Sequence, residues 1–511
     1  MDRRQEDQEV RGTQRDEVLR PARRARNRTK PLAAGLILAA LFCQGCADKS
    51  LLRFQKIADA AGRDEYAKAA AEVVKNKNLY GSNNALLYHM DLGVLYHYAG
   101  QYDSSIAELS KAVAVQEDLF AKSVSNEAFA LVTNDNSRPY RGKPHEIVLL
   151  HQFLAFDYLA LGKFDDALVE VRQTQLYLDE LKRKAGPTGK GYVDDGMFRY
   201  LSALVYQAAG QKDDAAISMY QAVKAYRNGP VTLPASVTRG AYAFLKAQDR
   251  DNDIQELKLD GTPPPQAGGS IAPADVGGAE IVVVGEAGRA PALDQSVYWG
   301  TYARDGLLVL HYHDAKGNEV TQALPAPGLP ASELAKAARG RRTRSGTTFH
   351  VKFALPEVKE VKSGTRFFSV AGEAAPTPVK TEPLTDLHPL MESYLEENHA
   401  AMLTRTVVRV VLRTIAAQET KDAISGSNPL LNLLFNVGTD VLADQLEQAD
   451  TRTWFLLPRT IQVARIPVKP GIHSLTIQAH DANGNPLATH LFDNVEVKPG
   501  EKKFLFFTSL K

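Results

Sequence analysis

The sequence predicts a multidomain α + β protein. An all-α superhelix of repeated helix pairs fills the N-terminal half, and a β-sandwich-like domain with an inserted helical hairpin fills the C-terminal half. Three observations lead to this fold class. Apolar residues recur at helical spacing, and in repeats, from residue 51 to about 250. A stretch rich in proline and glycine then breaks the periodicity, and short β-branched and aromatic runs bounded by turn residues follow it, as is typical of strands.

Three turn glycines, Gly100, Gly162 and Gly210, anchor the repeat. Small or aliphatic residues and a tyrosine stand at five fixed distances from each of them: Gly93, Ala155, Ala203; Tyr96, Tyr158, Tyr206; Ser105, Ala167, Ala215; Leu109, Val171, Met219; Ala112, Thr174, Ala222. Small residues at facing positions let two antiparallel helices approach closely, which is the packing of tetratricopeptide (TPR) repeats. We expect the tyrosines in the core and, because stacked pairs form a concave surface, a groove for another chain.

The copies are 62 and 48 residues apart, which exceeds the regular TPR period of about 34 residues, so material is inserted between the pairs. A weaker pair around Gly62 begins the array, and residues 236–247 cap it. The predicted domains are a signal segment (1–45), the TPR-like domain (46–250), a linker (251–278) and the β-rich domain (279–511), with the helical hairpin at about 386–450 and the sandwich end at about 455–511.

Strand signals in the β-rich domain cover residues 279–288, 306–315, 347–358 and 365–372, with loops between them and a proline-rich loop at 372–383. Gly426 to Pro429 break the helical hairpin. The C-terminal stretch alternates apolar and polar residues between turn signals, which favours an antiparallel sandwich. Its predicted core consists of Ile461, Val463, Leu475, Ile477, Val495, Val497, Leu505 and Phe507.

The N-terminal segment has the order of a secretory signal. Arginines and Lys30 precede the uncharged run Leu32 to Phe42, which is too short to span a membrane. The end of this run, Phe42-Cys-Gln-Gly-Cys46, resembles a bacterial lipobox, which implies lipidation (palmitate or another acyl chain) of Cys46. The alternative is an ordinary signal peptide that leaves Cys46 as a free thiol. Ala47 after the cysteine, where inner-membrane lipoproteins tend to carry aspartate, implies anchoring on the periplasmic face of the outer membrane.

Composition and motifs exclude several functions. Removal of residues 1–45, with 10 basic and 6 acidic side chains, takes the formal net charge from +1 to −3, so the chain has no global attraction to nucleic acid. Both cysteines, Cys43 and Cys46, lie in the signal region, so the exported part has no thiol chemistry. The glycine-rich stretch 186–191 lacks the spacing of a phosphate-binding loop, and no hydrolase, metalloprotease or dinucleotide motif is present. We therefore expect no enzyme and no cofactor.

Two clusters allow a functional interpretation, but for each of them a simpler structural interpretation is favoured. His311 and His313 share a face of a predicted strand and offer two nitrogens to a metal, but only Asp314 and His350 are available as further ligands, so we expect surface or packing histidines and no metal site. The arginines of residues 339–344 form a basic loop, for which a solvated loop is the default and an anionic lipid or acidic partner the alternative.

Asp450, Arg452 and Trp454 are two residues apart and line one side of an extended segment. Arg452 is then able to pair with Asp450 and to lie over Trp454. The simple interpretation is a structural lock between hairpin and sandwich, and the functional one is a stacking platform for a sugar or peptide. Glu170 and Arg172 project differently from their helix and belong to separate contacts.

Three passages together resemble a family of uncharacterised Gram-negative lipoproteins with TPR-like repeats. They are Tyr140-x-Gly142-x-x-x-Glu146, the segment Ala167 to Arg172, and the segment Ala449 to Pro458. The resemblance covers most of residues 50–475. It implies a role in the cell envelope, with the peptidoglycan synthesis machinery as a partner.

The predicted function is a lipid-anchored periplasmic scaffold that binds an envelope protein through its repeats without catalysis. Its candidate partner-binding residues are Tyr140, Glu146, Glu170, Arg172, Asp450, Arg452 and Trp454. The alternative is a peptidoglycan- or glycan-binding module that acts through the β domain and Trp454.

Overall fold

A computed structural model gives the fold. It describes residues 54–122, 138–186, 192–261, 278–303, 307–313, 317–325, 348–373, 375–424 and 448–511. Cys46, the basic loop 339–344 and the second arm of the predicted helical hairpin lie outside these residues. No helix of the described part is long and apolar enough to cross a membrane.

Successive antiparallel helix pairs form the N-terminal part, as the glycine-anchored columns predict. Gly100, Gly162 and Gly210 connect the two helices of their pairs with φ angles of 70°, 71° and 74°, a left-handed conformation that favours glycine. The helices are α1 (54–61), α2 (Tyr66–Lys75), α3 (Ala85–Tyr98), α4 (Tyr102–Lys122), α5 (Pro144–Ala160), α6 (Phe164–Ala185), α7 (Gly196–Ala208), α8 (Lys212–Asn228), α9 (Ala235–Ala247) and α10 (Asp251–Glu256).

The small residues of the repeat allow close helix packing. A Cβ atom added to Gly93 on α3 would lie 2.4 Å from the Leu109 side chain on α4. No real Cβ approaches so closely, so any larger residue at position 93 would force the Leu109 side chain to shift. Gly93 and Leu109 belong to two of the repeated columns, which therefore record contacts between the helices of one pair.

Twelve described strands follow the helices and form three four-stranded sheets. The central sheet has the order β12-β1-β9-β8, the outer sheet β11-β10-β6-β7 and the third sheet β4-β3-β2-β5. The strands are β1 (Glu280–Arg289), β2 (Ala292–Ala303), β3 (Leu307–His313), β4 (Glu319–Pro325), β5 (Thr348–Lys359), β6 (Phe367–Gly372), β7 (Ala375–Lys380), β8 (Glu382–Asp386), β9 (Pro458–Pro467), β10 (Gly471–His480), β11 (Pro486–Val497) and β12 (Lys502–Ser509).

The central sheet is buried on both faces. Val282 and Val284 on one face join the core of the helices, whereas Ile281 and Val283 on the other face pack against the outer sheet. The prediction of a single sandwich core was therefore wrong in part. Of its residues, Ile461 and Val463 pack against the helices, whereas Leu475, Ile477, Val495, Val497 and Leu505 lie between the two sheets and Phe507 packs at their margin.

The long helix α11 (Leu387–Ile424) packs on the third sheet. Its Leu403 and Val407 share a core with Leu310 and Phe353. This helix is the first arm of the predicted hairpin. Residues 448–457, with which the described part of the chain resumes, contain no helix or strand and lead into β9.

Several boundaries differ from the sequence-based expectation. The predicted linker begins with α10, whose Ile254 is 2% exposed, so the helical part extends beyond residue 250. The stretch 372–383, predicted as a loop because of its prolines, contains β7 with Pro376 and Pro378. β7 lies at the edge of the outer sheet, where a strand tolerates proline because one side of its backbone needs no partner.

Candidate functional site

The inner face of the repeats is the surface that the sequence assigns to a partner. Buried residues occupy α5 on all sides, from His145 to Leu159. Phe156 contacts Phe506 of β12 with ring centroids 5.0 Å apart, and Phe153 contacts Trp454 at 5.8 Å. The chain's own central sheet and the segment before β9 therefore cover this face, which corrects the expectation of an open groove.

A buried histidine connects the helices to the central sheet. His97 on α3 lies between two carboxylates, with Nδ1 2.6 Å from Asp157 Oδ1 of α5 and Nε2 2.9 Å from Glu286 Oε1 of β1. Burial alone lowers the pKa of His97, but the charges and hydrogen bonds of Glu286 and Asp157 outweigh it and raise the pKa to about 10. His97 is therefore protonated at neutral pH. At 2% exposure it serves as a charged contact inside the molecule.

Further polar contacts hold the helices on the sheet. Glu280 of β1 accepts hydrogen bonds from Arg465 Nη2 at 2.9 Å and from Lys502 Nζ at 2.5 Å. Burial raises the pKa of Glu280, but the charges of Arg465 and Lys502 outweigh it and lower the pKa. Glu382 of β8 accepts hydrogen bonds from two backbone N–H groups at the start of α9. Tyr226 of α8 donates to the Leu384 carbonyl at 2.6 Å. The repeats and the sheets are therefore joined by polar as well as apolar contacts.

Glu146 organises the junction between α5 and the segment before β9. Its carboxylate accepts hydrogen bonds from Tyr140 Oη at 2.5 Å, the Lys143 backbone N–H at 2.8 Å, Thr453 Oγ1 at 2.9 Å and the Trp454 backbone N–H at 2.9 Å. Burial raises the pKa of Glu146, but the charges of Lys143 and His145 and these hydrogen bonds lower it to about 2. Glu146 therefore stays ionised inside the protein.

Arg452 binds residues from both parts of the chain. Its guanidinium contacts Asp450 through Nε at 2.8 Å and Nη2 at 2.7 Å, and Nη1 donates to the Arg138 carbonyl at 2.8 Å. The predicted pairing of Arg452 with Asp450 is thus present. The predicted stacking is not, because the guanidinium lies 5.3 Å from the ring centre of Tyr140 rather than over Trp454.

Trp454 is a core residue. It is 1% exposed and its ring meets Phe153 edge-on. A sugar-stacking platform needs an open ring face, so the structure does not support that role for Trp454. The arrangement fits the simpler interpretation of a structural lock.

The other two candidates lie elsewhere on the helices. Glu170 of α6 lies 2.7 Å from His151 Nδ1 of α5, which joins the two helices of one pair. Arg172 is exposed, and its Nη2 lies 3.5 Å from Gln211 Oε1. Neither residue belongs to the junction around Glu146.

An open cleft of about 810 Å³ adjoins this junction. We call it the cationic cleft. It lies between the turn 138–143, the middle of α11, the middle of β5 and residues 448–452. Tyr140, Asp450 and Arg452 line it together with arginines that the sequence analysis did not select: Arg138, Arg141, Arg405 and Arg409.

Trp299, unlike Trp454, is partly exposed. On the outward face of the third sheet its ring centre lies 6.2 Å from His311 and 5.4 Å from His313, and His311 Nδ1 lies 2.9 Å from Thr321 Oγ1. The two histidines share a face, as predicted. In the described part of the chain, no group of three or more His, Cys, Asp or Glu residues is placed to hold a metal ion.

Sequence reasoning missed His97 and the cleft arginines for one reason. Their neighbours come from distant parts of the chain, as for His97 and Glu286, which are 189 positions apart. A weak signal exists for Arg405 and Arg409, which are four positions apart in a helix and so share a face.

Known proteins offer little guidance. Neither protein-family models nor curated proteins match the chain. Among solved structures, TPR-like repeats of a Podosopora anserina kinesin light chain protein are 17% identical over 41% of this chain and 92% of theirs, with a TM-score of 0.28. MamA of AMB-1 is 15% identical over 42% and 90%, with a TM-score of 0.25, and MamA of MSR-1 is 14% identical over 41% and 94%, with a TM-score of 0.24.

The chain's own helix pairs therefore define its class. It is a TPR-like helical-repeat protein whose inner face is covered by a β-rich region of the same chain.

Proposed function

We propose that the protein is a lipid-anchored scaffold of the bacterial cell envelope, which binds a protein partner through the outer face of its helical repeats and carries out no catalytic step. The lipid on Cys46 would hold it on the periplasmic face of the outer membrane. Confinement to a membrane raises the effective concentration of a scaffold near other envelope proteins. The peptidoglycan synthesis machinery is the partner class that the sequence resemblance implies.

One observation carries this proposal. The second helices α2, α4, α6 and α8 each expose a large apolar side chain, whereas the first helices are covered by the central sheet. The exposed residues are Val74 (49%), Phe120 (47%), Val169 (48%), Leu176 (65%) and Ile217 (44%). Val169 and Leu176 lie two turns apart on one side of α6. Exposed apolar side chains that recur along an array are a feature of protein-binding surfaces.

Site-specific crosslinking in cells tests the partner surface. A photoreactive residue at Leu176 should crosslink to one envelope protein, and the matched control at Leu491, which is 54% exposed on β11, should not. The Leu176→Ser and Val169→Ser variants should abolish capture of that protein without a change in thermal stability. Equal crosslinking from both positions would argue against the outer face of the repeats.

The anchor has its own test. The Cys46→Ser variant should lose membrane association and the mass of the acyl chains. Unchanged association and an unchanged N-terminal mass would mean that the protein is not a lipoprotein.

A second candidate function is glycan binding, and Trp299 favours it. A partly exposed tryptophan beside histidine and threonine side chains offers an apolar face for a sugar ring together with hydrogen-bonding groups. Trp299→Ala should abolish sedimentation with peptidoglycan, and the control Ile472→Ala, at a position 67% exposed on the outer sheet, should not. Binding that survives Trp299→Ala would exclude this face.

A further inference from the structure

The cationic cleft combines three features that point to a ligand. The first is unbalanced charge. Asp450 is the only carboxylate among its described lining residues, and Arg452 binds both of its oxygens. Lys143 is 3.6 Å from the buried Glu146. No ion pair with a carboxylate of the described residues engages Arg141 or Arg405.

Arg138 and Arg141 place like charges close together in the lining of the cleft. Burial and the neighbouring charge of Arg138 lower the pKa of the Arg141 guanidinium. Like charges close together are unfavourable unless an anion lies between them. A guanidinium binds a carboxylate through two parallel hydrogen bonds, so this wall is suited to an acidic ligand.

The second feature is an apolar wall. Leu293, Leu355 and Met402 line the same cleft, and Met402 lies one helical turn before Arg405 on α11. A ligand with charge alone, such as a chain of phosphates, would gain nothing from this wall. A ligand with both acidic and apolar groups would contact the arginines and the apolar residues together.

The third feature is the edge of a sheet. β5 is the outermost strand of the third sheet, and no further strand of the described residues pairs with it. Its consecutive residues Ala354, Leu355 and Pro356 all line the cleft. Successive side chains of a strand point to opposite faces, so the cleft borders the strand's edge rather than one face. An extended peptide is the ligand that pairs with such an edge.

We propose that the cationic cleft binds an extended acidic segment of a partner protein. The backbone of this segment lies along β5, with its carboxylates on Arg141 and Arg405 and its apolar side chains on the partly exposed Met402. The site is separate from the outer face of the repeats, so the two proposals stand or fall independently.

Peptide binding to the full chain, purified in detergent, tests this site. The probe is a short fluorescent peptide in which glutamate and valine alternate. Its binding should be saturable and should weaken with salt. Arg405→Glu and Arg141→Glu should each weaken it by about tenfold or more, because each replaces a charge-assisted pair by a repulsive contact.

Two controls separate the cleft from general charge effects. Arg227→Glu changes the net charge equally at an exposed position on α8 that does not line the cleft, and should leave the affinity unchanged. The melting temperature of each variant shows whether the protein still folds. If a charge reversal unfolds the chain, Met402→Asp tests the same cleft from its apolar wall and should also weaken binding.

The choice of ligand distinguishes the remaining outcomes. A peptide of alternating lysine and valine should not bind, and an N-methylated acidic peptide, which cannot pair with β5, should bind at least about tenfold more weakly. Equal affinity for the N-methylated peptide, or for inorganic polyphosphate, would overturn the peptide proposal. Affinities unaffected by Arg405→Glu, Arg141→Glu and Met402→Asp in folded protein would overturn the site itself.

Discussion

The backbone N–H of Trp454 donates a hydrogen bond to the Glu146 carboxylate at 2.9 Å, although the two residues are 308 positions apart. Glu146 lies in the first turn of α5, and Trp454 precedes β9. The contact therefore fixes the start of the central sheet against the middle of the repeats. The two parts of the chain behave as one folding unit if such contacts contribute substantially to stability.

Replacement of Glu146 by glutamine should destabilise the protein by about 2–4 kcal/mol, because the buried carboxylate accepts several hydrogen bonds that a neutral amide cannot all replace. Urea unfolding measures the loss. The control Glu180→Gln removes a surface carboxylate of α6 and should leave the midpoint unchanged. Equal midpoints for Glu146→Gln and the native chain would show that the junction contributes little.

The same carboxylate predicts an acid dependence. The pKa of Glu146 is about 2 in the folded protein and 4.5 in its ordinary environment. A lowered pKa contributes stability that is present above pH 4.5 and is lost as the pH falls towards 2. The free energy of unfolding should therefore fall less steeply with acid in Glu146→Gln than in the native chain. Parallel acid limbs would contradict the lowered pKa.

His97 predicts an alkaline dependence of opposite sign. Its pKa rises from 6.5 to about 10 on folding, so its contribution is complete below pH 6.5 and is lost as the pH rises through 10. One proton gives a slope of at most about 1.4 kcal/mol per pH unit. His97→Gln should remove this slope from the unfolding free energy, whereas His399→Gln, at an exposed position on α11, should retain it. A slope that persists in His97→Gln would assign it to other groups.

The local elements follow from the sequence because their causes are local. Gly93 and Leu109 mark a contact between neighbouring helices, and the positive φ of Gly100 marks the turn between them. The sequence does not indicate strand β2, because Asp294 and Gln295 interrupt its apolar pattern. The sequence does not indicate that the repeats pack on the central sheet, because the polar contacts between them join residues far apart in the chain.

One signal that a second layer packs on the central sheet is present in the sequence. Residues 281–284 of β1 read Ile-Val-Val-Val without alternation. A strand with one solvent-exposed face alternates apolar and polar residues, whereas a strand buried on both faces is continuously apolar. All four residues are 0% exposed. The run indicates a second layer over the sheet, but it does not indicate that the repeats supply it.

Trp454→Ala should destabilise the protein by about 3–5 kcal/mol, because it leaves a cavity beside Phe153 in the shared core. Thermal unfolding measures the effect. The matched control Trp299→Ala removes a tryptophan from the outward face of the third sheet and should change the melting temperature little. A folded Trp454→Ala variant of native stability would show that its contacts with the helices are dispensable.

Separate expression of the helical repeats and the β-rich region gives the most direct test of the packing between them. Residues 46–261 alone should aggregate and bind a hydrophobic dye, because the inner face, with Phe153 and Phe156, would lose its cover. Coexpression with residues 278–511 should restore a soluble complex. The full chain cleaved at a protease site placed within residues 262–277 is the control, and its two pieces should elute together. If residues 46–261 are monomeric and unfold cooperatively alone, the repeats fold without the sheet and their inner face is free to receive a partner.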